Sequence, residues 1–189
     1  QWVEQISAPR IVLAVQGYLA GDYGLQIHSS RLGCVEALRS GITCILNMEW
    51  ATPPEVVNIF ETMGLRVVQT LTLTDVDQWG RCEMLLPEEE AWKLADRLIE
   101  RCRRSQGGRV TFRYGLACPN SCSGEQIRKA RTLATEKGVG LHIHIAETRF
   151  EWENIHKLYG TTPTRYLYDL GLLGPDVLGA HCIWLSDDD

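Results

Sequence analysis

Leu141-His142-Ile143-His144-Ile145-Ala146-Glu147-Thr148 is the stretch from which the fold can be read. Apolar residues alternate with histidines, as in a β-strand, and His142 and His144 fall on one side of it. Four further short, apolar or β-branched runs share this character: Ile42–Leu46, Leu65–Leu71, Arg109–Tyr114 and Val177–Cys182. Each is bounded by Gly or charged residues. Their near-continuous apolar character predicts burial on both faces, as in a parallel sheet.

Helix signals separate the runs. Residues from about Leu25 to Ser40 read as helical, with Gly41 as the stop. Thr52-Pro53-Pro54-Glu55 reads as a capping box with proline at the first helical position, stopped at Gly64. Glu88 to Arg104 places Ala91, Leu94, Ala95, Leu98, Ile99 and Cys102 on one stripe. Ser123-Gly124-Glu125-Gln126 opens a helix that closes near Gly138. Thr162-Pro163 opens a short one that ends at Gly171. Alternation of helix and strand predicts an α/β fold of parallel strands with helical crossovers. Periodicity leaves two architectures open, a doubly wound open sheet and part of a barrel. There is no GxGxxG after a strand and no GxxxxGK[ST], which weakens the nucleotide-binding versions of the open sheet.

The chain has 189 residues, 19 basic and 24 acidic, for a net charge of −5. A full eight-unit β/α barrel needs about 250 residues. The first residue is Gln and the last three are Asp, so the chain is expected to be a piece of a longer protein. The acidic balance argues against a general nucleic-acid surface, and no apolar run approaches the ~18 residues of a membrane span. Arg101, Arg103 and Arg104 read as the solvated, dipole-matched end of a helix. Seven scattered cysteines, Cys34, Cys44, Cys82, Cys102, Cys118, Cys122 and Cys182, read as reduced thiols in a cytoplasmic protein.

Three places could carry chemistry. His144 and Glu147 lie at the C-terminal end of their strand, where ligands gather in both parallel architectures. An imidazole there can bind a metal, and a carboxylate three residues on can move a proton. Leu178-Gly179-Ala180-His181-Cys182 puts a second histidine at the end of the next strand, with Cys182 pointing away into packing. Cys118-Pro119-Asn120-Ser121-Cys122 forms a strand-to-helix loop on the same rim. It lacks the second Cys or His pair of a closed zinc site. His28 and His156 read as helix-surface residues.

Together, His144-Ile-Ala-Glu147-Thr148 followed one β/α unit later by Ala180-His181-Cys182 and Leu185-Ser186-Asp187 resembles the amidohydrolase superfamily. The nearest likeness is its deaminase and chlorohydrolase branch, which includes adenosylhomocysteine/methylthioadenosine, guanine and cytosine deaminases and triazine hydrolases. The resemblance implies a partial (β/α)8 TIM-type barrel of parallel strands and alternating helices, with residues 1–189 covering strands two to six and truncated at both ends. It implies His144 as a metal ligand and Glu147 and His181 as catalytic residues, with His142 outside the ligand set. The implied cofactor is one divalent ion, zinc first and iron second. The implied reaction is hydrolytic deamination, or dechlorination, of an N-heterocyclic small molecule by a metal-activated water. The family's first-strand HxH and eighth-strand Asp have no counterpart here. Ala117-Cys118 and Trp184 stand where many relatives carry histidine. Homo-oligomers are common in the family; nucleic acid and membrane are not expected partners. The competing reading is an open β/α small-molecule-binding module without metal chemistry.

Overall fold

A computed structural model describes residues 13–77 and 86–189. Of the residues singled out above, Cys82 lies outside that range. The chain divides into two compact units. Among the described residues, the first comprises 13–71 and 86–112, the second 72–77 and 113–189.

In the first unit, residues 13–19 are helical. They are followed by α1 (Gly24–Arg39), β1 (Cys44–Glu49) and α2 (Val56–Met63), then by the body of β2 (Arg66–Leu73) and by α3 (Glu88–Arg103). The unit ends at the start of β3 (Val110–Leu116). β1 and β2 pair in parallel from Cys44↔Arg66 to Glu49↔Leu71. The six stripe residues of α3 read from the sequence are its buried ones, and they join Val57, Phe60 and Leu65 in the core. Glu88, Glu89 and Glu90 occupy the first turn of α3 and Arg101 and Arg103 the last, matching the helix dipole. Arg101 is not merely solvated, however. Its guanidinium binds Asn58 Oδ1 and Glu61 of α2, and holds the Glu61 carboxyl below the usual carboxylate range.

The capping box expected at Thr52–Glu55 does not form. Helix α2 begins at Val56, and no side chain caps it. The turn closes instead through backbone bonds from Val56 N to Pro53 O and from Asn58 N to Glu55 O, 3.1 and 3.0 Å. Thr52 Oγ1 is buried without a hydrogen-bond partner, so the bond to the Glu55 N–H that the box requires is not made. The stop at Gly64 is as expected, with φ 78°. The first strand also runs later than Ile42–Leu46: it starts at Cys44 and ends at Glu49, after the turn at Gly41 with φ 78°.

The second unit holds the ends of β2 and β3 and then α4 (Gly124–Lys137), β4 (Gly140–Ile145) and α5 (Arg149–Tyr159). It finishes with α6 (Pro163–Asp169) and β5 (Val177–His181). β3 pairs with β4 from Arg113↔Gly140 to Leu116↔Ile143, and β4 with β5 from Leu141↔Val177 to Ile145↔His181, all parallel. Ser123 and Thr162 cap α4 and α6 through their hydroxyls, 3.1 Å from Gln126 N and 3.1 Å from Arg165 N. The sheet order follows the chain, β1 to β5. A doubly wound sheet reverses its strand order at a switch point, whereas a barrel does not. The sequential order therefore selects the barrel over the open sheet.

Ahead of β5, Arg131 Nη1 donates to Asp176 Oδ1 at 2.9 Å, and Arg113 Nη1 donates to the Asp176 carbonyl at 2.6 Å. Arg131 is the main cause holding the Asp176 carboxyl below its ordinary value of 3.8. A depressed carboxyl stabilises the fold above its unfolded pKa, and that contribution is lost as pH falls through the folded value. Asp176→Asn is therefore expected to lower the thermal midpoint at neutral pH and to flatten its decline below about pH 4. Melting curves of both proteins from pH 7 to 3 test this; parallel declines would contradict it.

A candidate metal centre at the strand ends

Strand β4 buries Leu141, Ile143 and Ile145 and sets His142 and His144 on the other side. Residue for residue, His144 lies opposite Ala180, and Ile145 opposite His181. Regular alternation would thus aim the His181 side chain the same way as Ile145, away from His144. The backbone prevents this. His181 has φ 68° and Cys182 φ 53°, both left-handed, and Cys182 N closes an i→i+2 turn on Ala180 O at 3.0 Å. The imidazole swings to the His144 side, and His181 Nε2 comes within 2.8 Å of His144 Nδ1. Cys182, expected to pack inward, is exposed as a result.

Glu147 completes the cluster. Its Oε1 lies 3.7 Å from His181 Nε2 and its Oε2 4.0 Å from His144 Nδ1. It is carried on a turn whose first residue, Ala146, is also left-handed, at φ 51°. Three non-glycine residues in that region within two adjacent strand ends mark stored strain of the kind found at functional sites. The Ala146 carbonyl accepts Ile183 N at 3.1 Å and Trp184 N at 2.9 Å, so the segment after β5 locks the turn after β4. Gly179 makes room for this. A Cβ there would stand 3.1 Å from Ile145 Cδ1 and 3.2 Å from Cys182 Sγ.

A second loop borders the cluster's unit. The Ser121 carbonyl accepts Asp75 N and Val76 N, both at 3.1 Å, and the Thr74 hydroxyl at 2.6 Å. Asp75 Oδ1 in turn accepts Ser123 N at 2.7 Å. Asn154 Nδ2 of α5 donates to Asn120 Oδ1 at 3.0 Å. Cys118 and Cys122 are not arranged as ligands. The Cys118 thiol lies 3.1 Å from Ser121 Oγ, that of Cys122 donates to Leu73 O, and burial pushes both thiol pKa values up.

Burial is the first cause lowering the pKa of His144, with His181 second and Glu147 opposing. His142 is 2% exposed, and burial lowers its pKa to about 4, so it is neutral at ordinary pH. Among the described residues, the group able to hold a metal is His144, Glu147 and His181, whose donor atoms lie within 4.8 Å of one another. A tetrahedral ion with bonds of about 2.0 Å separates its ligand atoms by roughly 3.3 Å. The observed 2.8, 3.7 and 4.0 Å bracket that value. Two imidazoles and a carboxylate are also donor types that zinc accepts. The residues present fit a divalent ion.

Residue Glu151 was not singled out from the sequence. Its carboxylate is 3% exposed and accepts Ala146 N at 2.8 Å and Glu147 N at 3.3 Å. Burial pushes its pKa up to about 7, against the pull of those two donors. The signal that could have found it is Thr148-x-x-Glu151, a capping box at the start of α5. Thr148 Oγ1 accepts Glu151 N at 3.1 Å, and Gly160 ends the helix at φ 70°. His156, on α5, and His28, on α1, are exposed as expected.

Parallel strands in chain order, with acid and imidazole groups gathered at their C-terminal ends, define a β/α-barrel framework. Residues 26–189 match the amidohydrolase family, and the chain belongs to that family. It is 34% identical to a 5′-deoxyadenosine deaminase of Methanopyrus kandleri over 158 residues, 84% of this chain and 35% of that protein. It is 35% identical to a 5-methylthioadenosine/S-adenosylhomocysteine deaminase of Symbiobacterium thermophilum, again over 84% of this chain and 35% of that one. The chain therefore spans about a third of the length of these relatives. A zinc-bound adenosine deaminase from Xanthomonas campestris superposes with a TM-score of 0.72 at 21% identity, covering 84% of this chain and 35% of that one. The fold is a partial TIM-type barrel.

The left-handed Ala146 sets a clear expectation. Ala146→Gly relieves a backbone cost of about 1–2 kcal/mol and should leave stability unchanged or raised. Ala146→Val, β-branched, should lower it by more than about 1 kcal/mol. Urea denaturation of both variants decides; equal behaviour would refute the strain.

Proposed function

We propose that the protein to which this chain belongs is a metal-dependent hydrolase that removes the amino group from an N-heterocycle, with adenine nucleosides as the first substrate class. The observation that carries this reading is the convergence of His144, Glu147 and His181 at two adjacent strand ends. The names of the two deaminase relatives support the substrate class. The zinc in the Xanthomonas structure supports zinc ahead of iron. Residues 1–189 are, in this reading, strands two to six of an eight-stranded barrel, consistent with the 35% share of the relatives covered.

His144 would hold the ion, with further ligands from outside these strands. When bound, a divalent ion supplies Lewis-acid activation of water and of the carbon under attack. Glu147 carries one proton of the attacking water to the ring nitrogen of the substrate and the other to the amino group, whose C–N bond then breaks as ammonia leaves and the new C=O forms. His181, through Nε2, orients the attacking oxygen. The proposal places the enzyme in the cytoplasm, which the scattered cysteines support. Among the described residues no helix is long and apolar enough to cross a membrane. A homo-oligomeric parent belongs to the same proposal.

The test uses the full-length protein, with ammonia release from 5′-deoxyadenosine, S-adenosylhomocysteine and guanine as the assay. His144→Ala is expected to lose bound zinc by elemental analysis; unchanged occupancy would overturn the ligand assignment. Glu147→Gln is expected to keep its zinc and lose about 10²–10⁴-fold in kcat. A Glu147→Gln enzyme with wild-type kcat would remove Glu147 from the reaction.

A further inference from the structure

The buried carboxylate of Glu151 has a geometry that ordinary helix capping does not require. Counting from the cap Thr148, Glu151 is the third residue of α5. In a capping box the acid at this position turns back to the N–H of the cap residue itself. Here it reaches further. Oε1 takes the N–H of Ala146 at 2.8 Å, and Oε2 takes that of Glu147 at 3.3 Å. These are the two residues before the cap, and they form the turn on which the proton-carrying carboxylate stands. The left-handed φ of Ala146 is what lets two successive N–H groups point at one anion, as in a backbone nest. At 3% exposure, Glu151 has little water to compete for its oxygens, so the turn and the carboxylate depend on each other.

We propose that Glu151 is a positioning residue: by gripping the N–H groups of Ala146 and Glu147 with its two oxygens, it fixes the turn that aims the Glu147 carboxylate between His144 and His181. The grip is bidentate, so it sets orientation as well as location. A single bond would leave the turn free to pivot about it. A pivot of about 1 Å at the reacting group is enough to cost about 10²-fold in rate. The reach matters as much as the charge. Aspartate is one methylene too short to span from α5 back across the cap. Glutamine keeps the length but offers one acceptor, and turns an N–H₂ toward a second donor.

This inference rests on the reading of Glu147 as proton carrier, and two measurements on the full-length protein separate the two ideas. The first compares Glu151→Gln and Glu151→Asp with wild type in zinc content, kcat and KM for 5′-deoxyadenosine deamination, at a temperature where each is fully folded. Positioning predicts that zinc is retained, KM is little changed and kcat falls about 10–100-fold, with aspartate at least as impaired as glutamine. A residue that only caps the helix lowers the melting temperature and leaves kcat per folded molecule within about twofold of wild type, and that result overturns the proposal. The second measurement is amide hydrogen exchange at Ala146 and Glu147, which needs no activity. Loss of protection at both amides in Glu151→Gln supports the grip, and unchanged protection overturns it. If wild type deaminates none of the substrates, the functional reading has failed, and the exchange result still decides the grip. Glu151→Gln keeps the side-chain volume, so the comparison survives even where Glu151→Ala does not fold.

Discussion

The parallel ladder between β4 and β5 is the interaction on which the site depends. It joins Leu141–Ile145 to Val177–His181 without a slip. It brings the ends of two strands level, and level ends let two imidazoles 37 positions apart in the chain meet at 2.8 Å. A one-residue slip would exchange the two faces of β4 and send both of its histidines among the buried aliphatic side chains. The ladder alone is not sufficient, because its alternation points His181 the wrong way. The left-handed residues at the two strand ends correct that direction.

Much of the fold was legible in the sequence because burial and caps write themselves into residue type. The α3 stripe was read residue for residue, since Ala, Leu and Ile recurring with a 3.6-residue period mark the buried face of a helix. Gly64, Gly138 and Gly171 stop their helices with positive φ where a side chain would be strained. What failed had local physical causes. Thr52 looked like a cap, but the helix starts only at Val56 and the Thr52 hydroxyl makes no bond to it. Arg101 looked solvated because its partners, Asn58 and Glu61, lie 43 and 40 positions away in the chain. No spacing rule reports such a contact.

The candidate site was legible in part. His144, Glu147 and His181 were found by type, order and position at strand ends, and the structure brings them together. From residue type alone the last strand runs on to Cys182, and the left-handed turn that aims His181 lies inside that run. A positive φ at a histidine is invisible in sequence, and with it the exposure of Cys182. Glu151 was missed although its Thr-x-x-Glu signature was present. The acids of such boxes are ordinarily solvated, and only the structure reveals that this one is buried.

Gly179 carries a consequence for how this end of the molecule can change. Its missing side chain is the space that Ile145 and Cys182 occupy from either side. A side chain at 179 would have to push the Ile145 or Cys182 side chain aside by a few tenths of an ångström. Variation here should be correlated: a larger residue at 179 calls for a shorter one at 145 or 182. The histidine between 179 and 182 restricts that exchange from within, because its left-handed backbone leads into Cys182, whose N–H is held by the Ile145 carbonyl at 2.9 Å.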